Sequence, residues 1–276
     1  MMISFKSVEA QKLSTVVRKR SEFILKDILP IPVKTVNMIS SAGGMGKTFI
    51  SIKLANEFVR ETKSRVLCWF SEDDNGEVAI RYDLLKKSGL IMQEFQEDIF
   101  LINSEPKQFA IKENGIFKAN YKALEELRDD CIFNNIKFII IDPLLAFYGG
   151  DENDNSQARI FMQPFIEWTK KYDMTILFIH HSAKSGGTRG AGAFRDAVRT
   201  LYEMNYVTTD KGDIDFDVKD SGSREVTLVK DNRNAFYWFE KKYNGAYANI
   251  QIMPRRIKVE ETTYKHENEN YGMAVI

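Results

Sequence analysis

Ser41-Ala42-Gly43-Gly44-Met45-Gly46-Lys47-Thr48 joins a short apolar run, Val36 to Ser40, to Phe49–Val59, where Ile50, Leu54, Ala55 and Phe58 recur at helical spacing. Strand, glycine loop, Lys-Thr and apolar helix in that order fit a phosphate-binding loop whose first glycine is replaced by Ser41. The physics survives that replacement. Gly43, Gly44 and Gly46 let backbone N–H groups turn inward round a β-phosphate, and the following helix offers its positive end. Lys47 reaches β and γ oxygens, and the Thr48 hydroxyl suits Mg²⁺. The candidate cradle is therefore Ala42, Gly43, Gly44, Met45, Gly46, Lys47, Thr48 and Phe49, with ATP and Mg²⁺ as the cofactors to expect. A plain glycine turn into a helix would not demand Lys-Thr at its end.

Outward from the loop, apolar strands alternate with amphipathic helices. Strands are expected at Arg65–Phe70, Ile99–Ile102, Phe138–Ile141 and Met174–Ile179, with helices at Glu77–Lys87, Tyr121–Asn134 and Ser156–Tyr172. Uninterrupted runs such as Phe138-Ile139-Ile140-Ile141 suit a parallel sheet covered on both faces, with functional groups collecting at the carboxyl ends of its strands. Asp142 closes one such run and is the natural carboxylate to hold a metal-bound water, although Asp-Pro also reads as an ordinary strand end. Glu72, in Phe70-Ser71-Glu72-Asp73-Asp74, is the candidate general base; an acidic cluster after a strand is also what a solvated turn looks like. Past Lys184 the chain turns glycine-rich, then helix-like over Ala193–Thr200. Short strands are expected at Leu201–Val207, Glu225–Lys230, Phe236–Glu240 and Tyr247–Ile252. The fold class is α/β: a mostly parallel sheet flanked by helices, with antiparallel strands added in the last third.

The chain has 276 residues, 43% hydrophobic and 28% charged, which excludes a disordered or fibrous chain. Thirty-nine Lys plus Arg balance thirty-nine Asp plus Glu, so bulk positive charge is not how this chain would hold nucleic acid. A local basic channel remains open. Cys68 and Cys131 lack paired spacing and read as reduced, structural thiols. No apolar run approaches the roughly 20 residues of a membrane span, and Met1–Arg20 has polar residues where a secretory signal would be apolar, so the cytoplasm is the default compartment.

With these residues in view, the chain resembles RecA-type hexameric ATPases, most closely the RepA-like replicative helicases of plasmids and phages, over residues 24–254. The resemblance rests on Ile28-Leu29-Pro30 ahead of the phosphate loop and on Ser71-Glu72-Asp73. It also rests on Ile141-Asp142-Pro143-Leu144 running to Gly149-Gly150-Asp151-Glu152-Asn153, and on His180-His181-Ser182-Ala183-Lys184 followed by Arg189-Gly190. It implies a RecA-like P-loop core over 25–254, an extension over 1–24 and a mobile tail over 255–276. It implies that Glu72 is the catalytic base, with Asp73 as fallback. His181 falls where the related DnaB helicases keep a γ-phosphate-sensing glutamine; from the residues alone, a histidine pair also reads as a satisfied strand end. In that family a lysine and an arginine on a late strand complete the neighbouring subunit's site. Lys230 and Arg233 fall in that place, separated by two residues instead of the usual one, with Arg199 as a second candidate and a merely solubilising charged hairpin as the bland reading.

The expected partners are single-stranded DNA, further copies of the chain in a hexameric ring, and replication proteins. Two loops would face the strand. The loop His181–Arg199 sets Lys184, Arg189, Arg195 and Arg199 against Asp196 alone, and its glycines let backbone approach phosphates; a flexible lid over nucleotide is the alternative. The loop after Asp142 is acidic, though Phe147 and Tyr148 offer rings for stacking on bases. The competing reading is an ATP-gated assembly module without unwinding. A partition ATPase would need lysine at the position of Ala42, and a membrane-transport ATPase a Ser-Gly-Gly signature before its second acidic motif; neither is present.

Overall fold

A computed structural model describes residues 12–17, 20–102, 104–181 and 192–255. In chain order the elements are β1 (Phe23–Ile24), β2 (Ile31–Pro32), β3 (Val36–Ser41), α1 (Lys47–Thr62), β4 (Arg65–Phe70), α2 (Asn75–Lys87) and β5 (Ile99–Leu101). They continue with β6 (Ala110–Glu113), β7 (Ile116–Ala119), α3 (Tyr121–Phe133), β8 (Ile136–Asp142), α4 (Asn155–Lys171) and β9 (Thr175–His181). The last third supplies α5 (Gly192–Ala197), β10 (Thr200–Asn205), α6 (Phe216–Asp220), β11 (Ser223–Asp231), α7 (Ala235–Tyr243) and β12 (Tyr247–Gln251).

Among the described residues the main sheet has eight strands in the order β12-β11-β10-β3-β9-β8-β4-β5. The run from β10 to β5 is parallel, and β11 and β12 are antiparallel additions at one edge. The reason lies in the strand sequences. In β8, Phe138 and Ile140 enter a core under α1, α2 and α7, while Ile139 and Ile141 enter a second core under α3 and α4. An apolar run with period 2 on both faces has no solvent side and must be covered twice. Cys68 and Cys131 are both buried free thiols, and burial pushes each up, Cys131 to about 12. Among the described residues no helix is long and apolar enough to cross a membrane.

Three sequence expectations change. Phe236–Glu240 is not a strand but part of α7: Ala235 and Phe239, four residues apart, are both fully buried, and the Phe239 ring lies tilted against Tyr243, centroids 4.9 Å apart. A run of aromatics has high strand propensity, but one buried face at helical spacing decides the matter. The hairpin β6–β7 was missing from the sequence reading, although Asn114-Gly115 at its turn, both at positive φ, is the usual two-residue hairpin signal. Phe147 and Tyr148 are not free to stack on bases. Phe147 is fully buried against Trp69 and Phe109, and Tyr148 lies 5.1 Å from Phe194 and 5.3 Å from Phe161. The acidic stretch behind them also has a structural task, since Asp154 accepts from the backbone N–H of Ser156 and Gln157 and caps α4. Phe147→Ala should therefore destabilise the fold by about 3–5 kcal/mol in urea titration, as deletion of a buried ring does. A Phe147→Ala protein of unchanged stability would return the ring to the surface.

Candidate functional site

Strand register brings the site together. Ser41 pairs with His181, Phe70 with Asp142 and Ile141 with Phe178, so β3 and β9 end about two residues beyond β8 and β4, and the turn after β4 carries Glu72 and Asp73 up towards them. Since β9 lies between β3 and β8, His181 is the near neighbour of the phosphate loop and Asp142 lies one strand further off.

The departure from the phosphate-loop pattern has a local reason. Ser41 is still in β3, paired with both His181 and Met204, and extended backbone needs no glycine. Beyond it, Gly44 (φ +74°) and Gly46 (φ +89°) occupy the left-handed region that side chains disfavour. A Cβ at Gly46 would also lie 2.7 Å from the sulfur of Met253, a flexible side chain that would have to move aside. At Gly43 and Gly44 a Cβ would meet nothing within 4 Å, so the mouth of the loop is open. Met45 points away from that mouth into the core.

The Lys47 ammonium, on the first residue of α1, donates to the Ala42 carbonyl at 3.1 Å and lies 3.3 Å from His181 Nδ1. Burial lowers its pKa, and the carboxylates of Asp142 and Glu72 pull the other way. Because an ammonium only donates, Nδ1 accepts and the ring proton sits on Nε2, which faces Glu72 Oε1 at 3.5 Å. Thr48 Oγ1 donates to Asp73 Oδ2 at 3.0 Å, and Asp73 is ion-paired with Arg81 of α2. Asp142 is almost wholly buried, and burial pushes its carboxyl up to about 7, with Lys47 opposing the shift.

These residues fit a nucleotide carrying a divalent ion. Glycine-freed N–H groups, the Lys47 ammonium and the start of α1 suit phosphates. The Thr48 hydroxyl beside Asp73, with a buried carboxyl at Asp142, suits an ion that arrives with the nucleotide. Among the described residues, no group of three or more His, Cys, Asp or Glu side chains is placed to hold a metal ion.

The other candidates lie elsewhere. Lys230 pairs with Leu201, which pairs with Met38, so it sits towards the amino end of the parallel strands, away from its own phosphate loop. Its ammonium donates to the carbonyls of Arg195 (2.7 Å) and Asp196 (2.9 Å), closing the end of α5. Arg233 is exposed in the turn between β11 and α7, held by its N–H on Asp231 Oδ1 at 2.9 Å. Lys184 and Arg189 lie outside the described residues. Arg81 was missed in the sequence. Its signal, a cation two helical turns past the Asp74 that caps α2, is faint without the fold.

Fold and site together define a P-loop nucleotide-binding core of the α/β class. A family model described as an AAA domain matches residues 4–187, and the chain belongs to that family of P-loop ATPases. A search of the curated proteins finds no match.

Asp142 gives the site a pH signature. The usual carboxyl value is 3.8 and the folded value about 7, so between these the folded state keeps a proton that the unfolded chain has released. Stability of the nucleotide-free protein should fall through this group as pH rises across that window. Asp142→Asn should remove that part of the slope, read as urea midpoints at pH 5 and pH 8. An unchanged slope would place the titration in another group.

Proposed function

We propose that the chain is a Mg²⁺-dependent ATPase that couples hydrolysis to movement along single-stranded DNA, as a ring-forming replicative helicase of plasmid or phage type working in the cytoplasm. The observation that carries the reading is the chain of contacts Lys47–His181–Glu72 at the carboxyl edge of the sheet. It links a phosphate-binding cation, the strand end that leads into the basic glycine-rich loop, and a carboxylate placed to take a proton.

In this reading the ATPase unit spans residues 25–254. Ala42 to Phe49 hold the phosphates, and Lys47 neutralises the β and γ oxygens. Thr48 and Asp142 would hold Mg²⁺, which supplies charge neutralisation on the phosphates. Glu72, more than half exposed, accepts a proton from the attacking water. His181 reports the state of the γ-phosphate: its Nδ1 lies against the cation that binds that group, and its own chain runs on into residues 182–191. Lys184 and Arg189 contact DNA phosphates from that loop. Arg233 and Lys230 complete the site of the next copy in a hexamer, a task their distance from their own phosphate loop leaves to a neighbour.

Two observations favour a second reading, an ATP-gated assembly module. Phe147 and Tyr148 are buried, and Lys230 already has two carbonyl partners. The readings separate in the rate of ATP hydrolysis with and without single-stranded DNA at two salt concentrations. A motor is expected to show stimulation that fades at high salt, whereas no stimulation favours the module. Lys47→Ala should lower turnover at least about a hundredfold and weaken nucleotide binding. Glu72→Gln should bind ATP while hydrolysis falls by a similar factor. Wild-type turnover in Glu72→Gln would move the base to Asp73.

A further inference from the structure

A cavity of about 320 Å³ opens between α1, α2 and the β4–β5 edge of the sheet. Its walls include Ile52 and Ala55 of α1, Phe70 of β4, Val78 of α2 and Leu101 of β5. No residue of the phosphate loop lines it, nor does Glu72, Asp142 or His181, so it is a different place from the nucleotide site. The Tyr82 hydroxyl on its wall already donates to Asn56 Oδ1 at 2.7 Å. Two exposed polar residues also line it, Asp83 with its carboxylate and Gln96 with an amide that both accepts and donates.

Size and chemistry select the occupant. A dry apolar cavity of about 150 Å³ takes a benzene, and ligand pockets begin near about 300 Å³. This cavity is therefore matched to a bicyclic aromatic molecule and too small for a helix of another protein. Apolar walls beside the exposed Asp83 carboxylate favour a ring bearing one donor. The cavity also touches the catalytic edge through α2. Val78 and Asp83 line it, and between them on the same helix Arg81 ion-pairs with Asp73, the acceptor of the Thr48 hydroxyl.

We propose that this pocket is a regulatory site for a small bicyclic aromatic molecule with one hydrogen-bond donor, and that its occupancy slows nucleotide turnover by displacing α2 and, with it, Arg81. The first half stands on the cavity alone; the second rests on the ATPase reading. A ligand shifts α2 only by as much as it prefers one position of that helix over the other.

The test uses the full chain, with indole as the probe and naphthalene as its donor-free counterpart. Saturable indole binding by calorimetry is expected, weakened at least about tenfold in Ala79→Phe, which fills the mouth. Asp83→Ala, which removes the acceptor, should weaken indole about fivefold, the loss of one hydrogen bond, and leave naphthalene unchanged. Saturating indole should lower the turnover number severalfold with the KM for ATP unchanged. No saturable binding by folded wild type, or equal indole binding by folded Ala79→Phe, overturns the site. Binding with unaltered turnover overturns the coupling through α2. A wild-type chain that hydrolyses no ATP would defeat the ATPase reading instead, and the binding measurement would stand apart from it.

Discussion

A buried ammonium organises the carboxyl edge of this sheet. Lys47 is only 8% exposed, and an ion taken out of water that far is tolerated only where charges and dipoles replace its hydration. The Ala42 carbonyl, His181 Nδ1 and the field of Asp142 do so here. Each comes from a different segment, so the requirement fixes the loop to α1, β9 beside β3, and β8 one strand beyond. The same compensation runs in reverse at Asp142, whose carboxyl is held near neutrality by burial and drawn down by the lysine. A site built from half-compensated charges is disposed to accept phosphate on one side and a cation on the other.

Much of this edge was legible in the sequence, because the signals were local. β4 falls at Arg65–Phe70 as its apolar run indicates, and β8 ends on Asp142 as expected. The loop could be read from residue types that few other structures require. Contacts set by register between distant strands were not legible. No spacing in the sequence states that Ser41 faces His181, and so the bridge His181 makes between Lys47 and Glu72 emerges only from the sheet order. Asp73 shows the same limit. The sequence offers Glu72 and Asp73 side by side, and only the turn after β4 sends one to His181 and the other to Thr48 and Arg81.

Where local signals conflicted, tertiary packing decided. Phe236-Tyr237-Trp238-Phe239 reads as a strand by propensity, yet the sheet already has β12 at its edge, and Phe239 reaches the core as part of a helix. Phe147 and Tyr148 read as rings free to stack on bases because they lie in a loop after Asp142, beside acidic residues. Asp154 is acidic because it caps α4, and the rings lie inward because α4 and β6–β7 close over them. A charge count around a loop says little about its interior side.

The last third of the chain is more than an edge added to a finished core. The family match ends at residue 187, before β10, β11 and β12 begin, yet β10 pairs directly with the phosphate-loop strand. From the outer edge β12 delivers Met253 back to that loop, and the delivery is constrained at both ends. The Gly222 carbonyl accepts from the N–H groups of Ile252 (3.0 Å) and Met253 (3.2 Å), and a Cβ on Gly222 would collide with the Met253 backbone. Met253 in turn fills the space that a side chain at Gly46 would need. Two glycines far apart in sequence thus hold one methionine between them. Strands outside the matched region pair beside the phosphate-loop strand and pack against the loop itself.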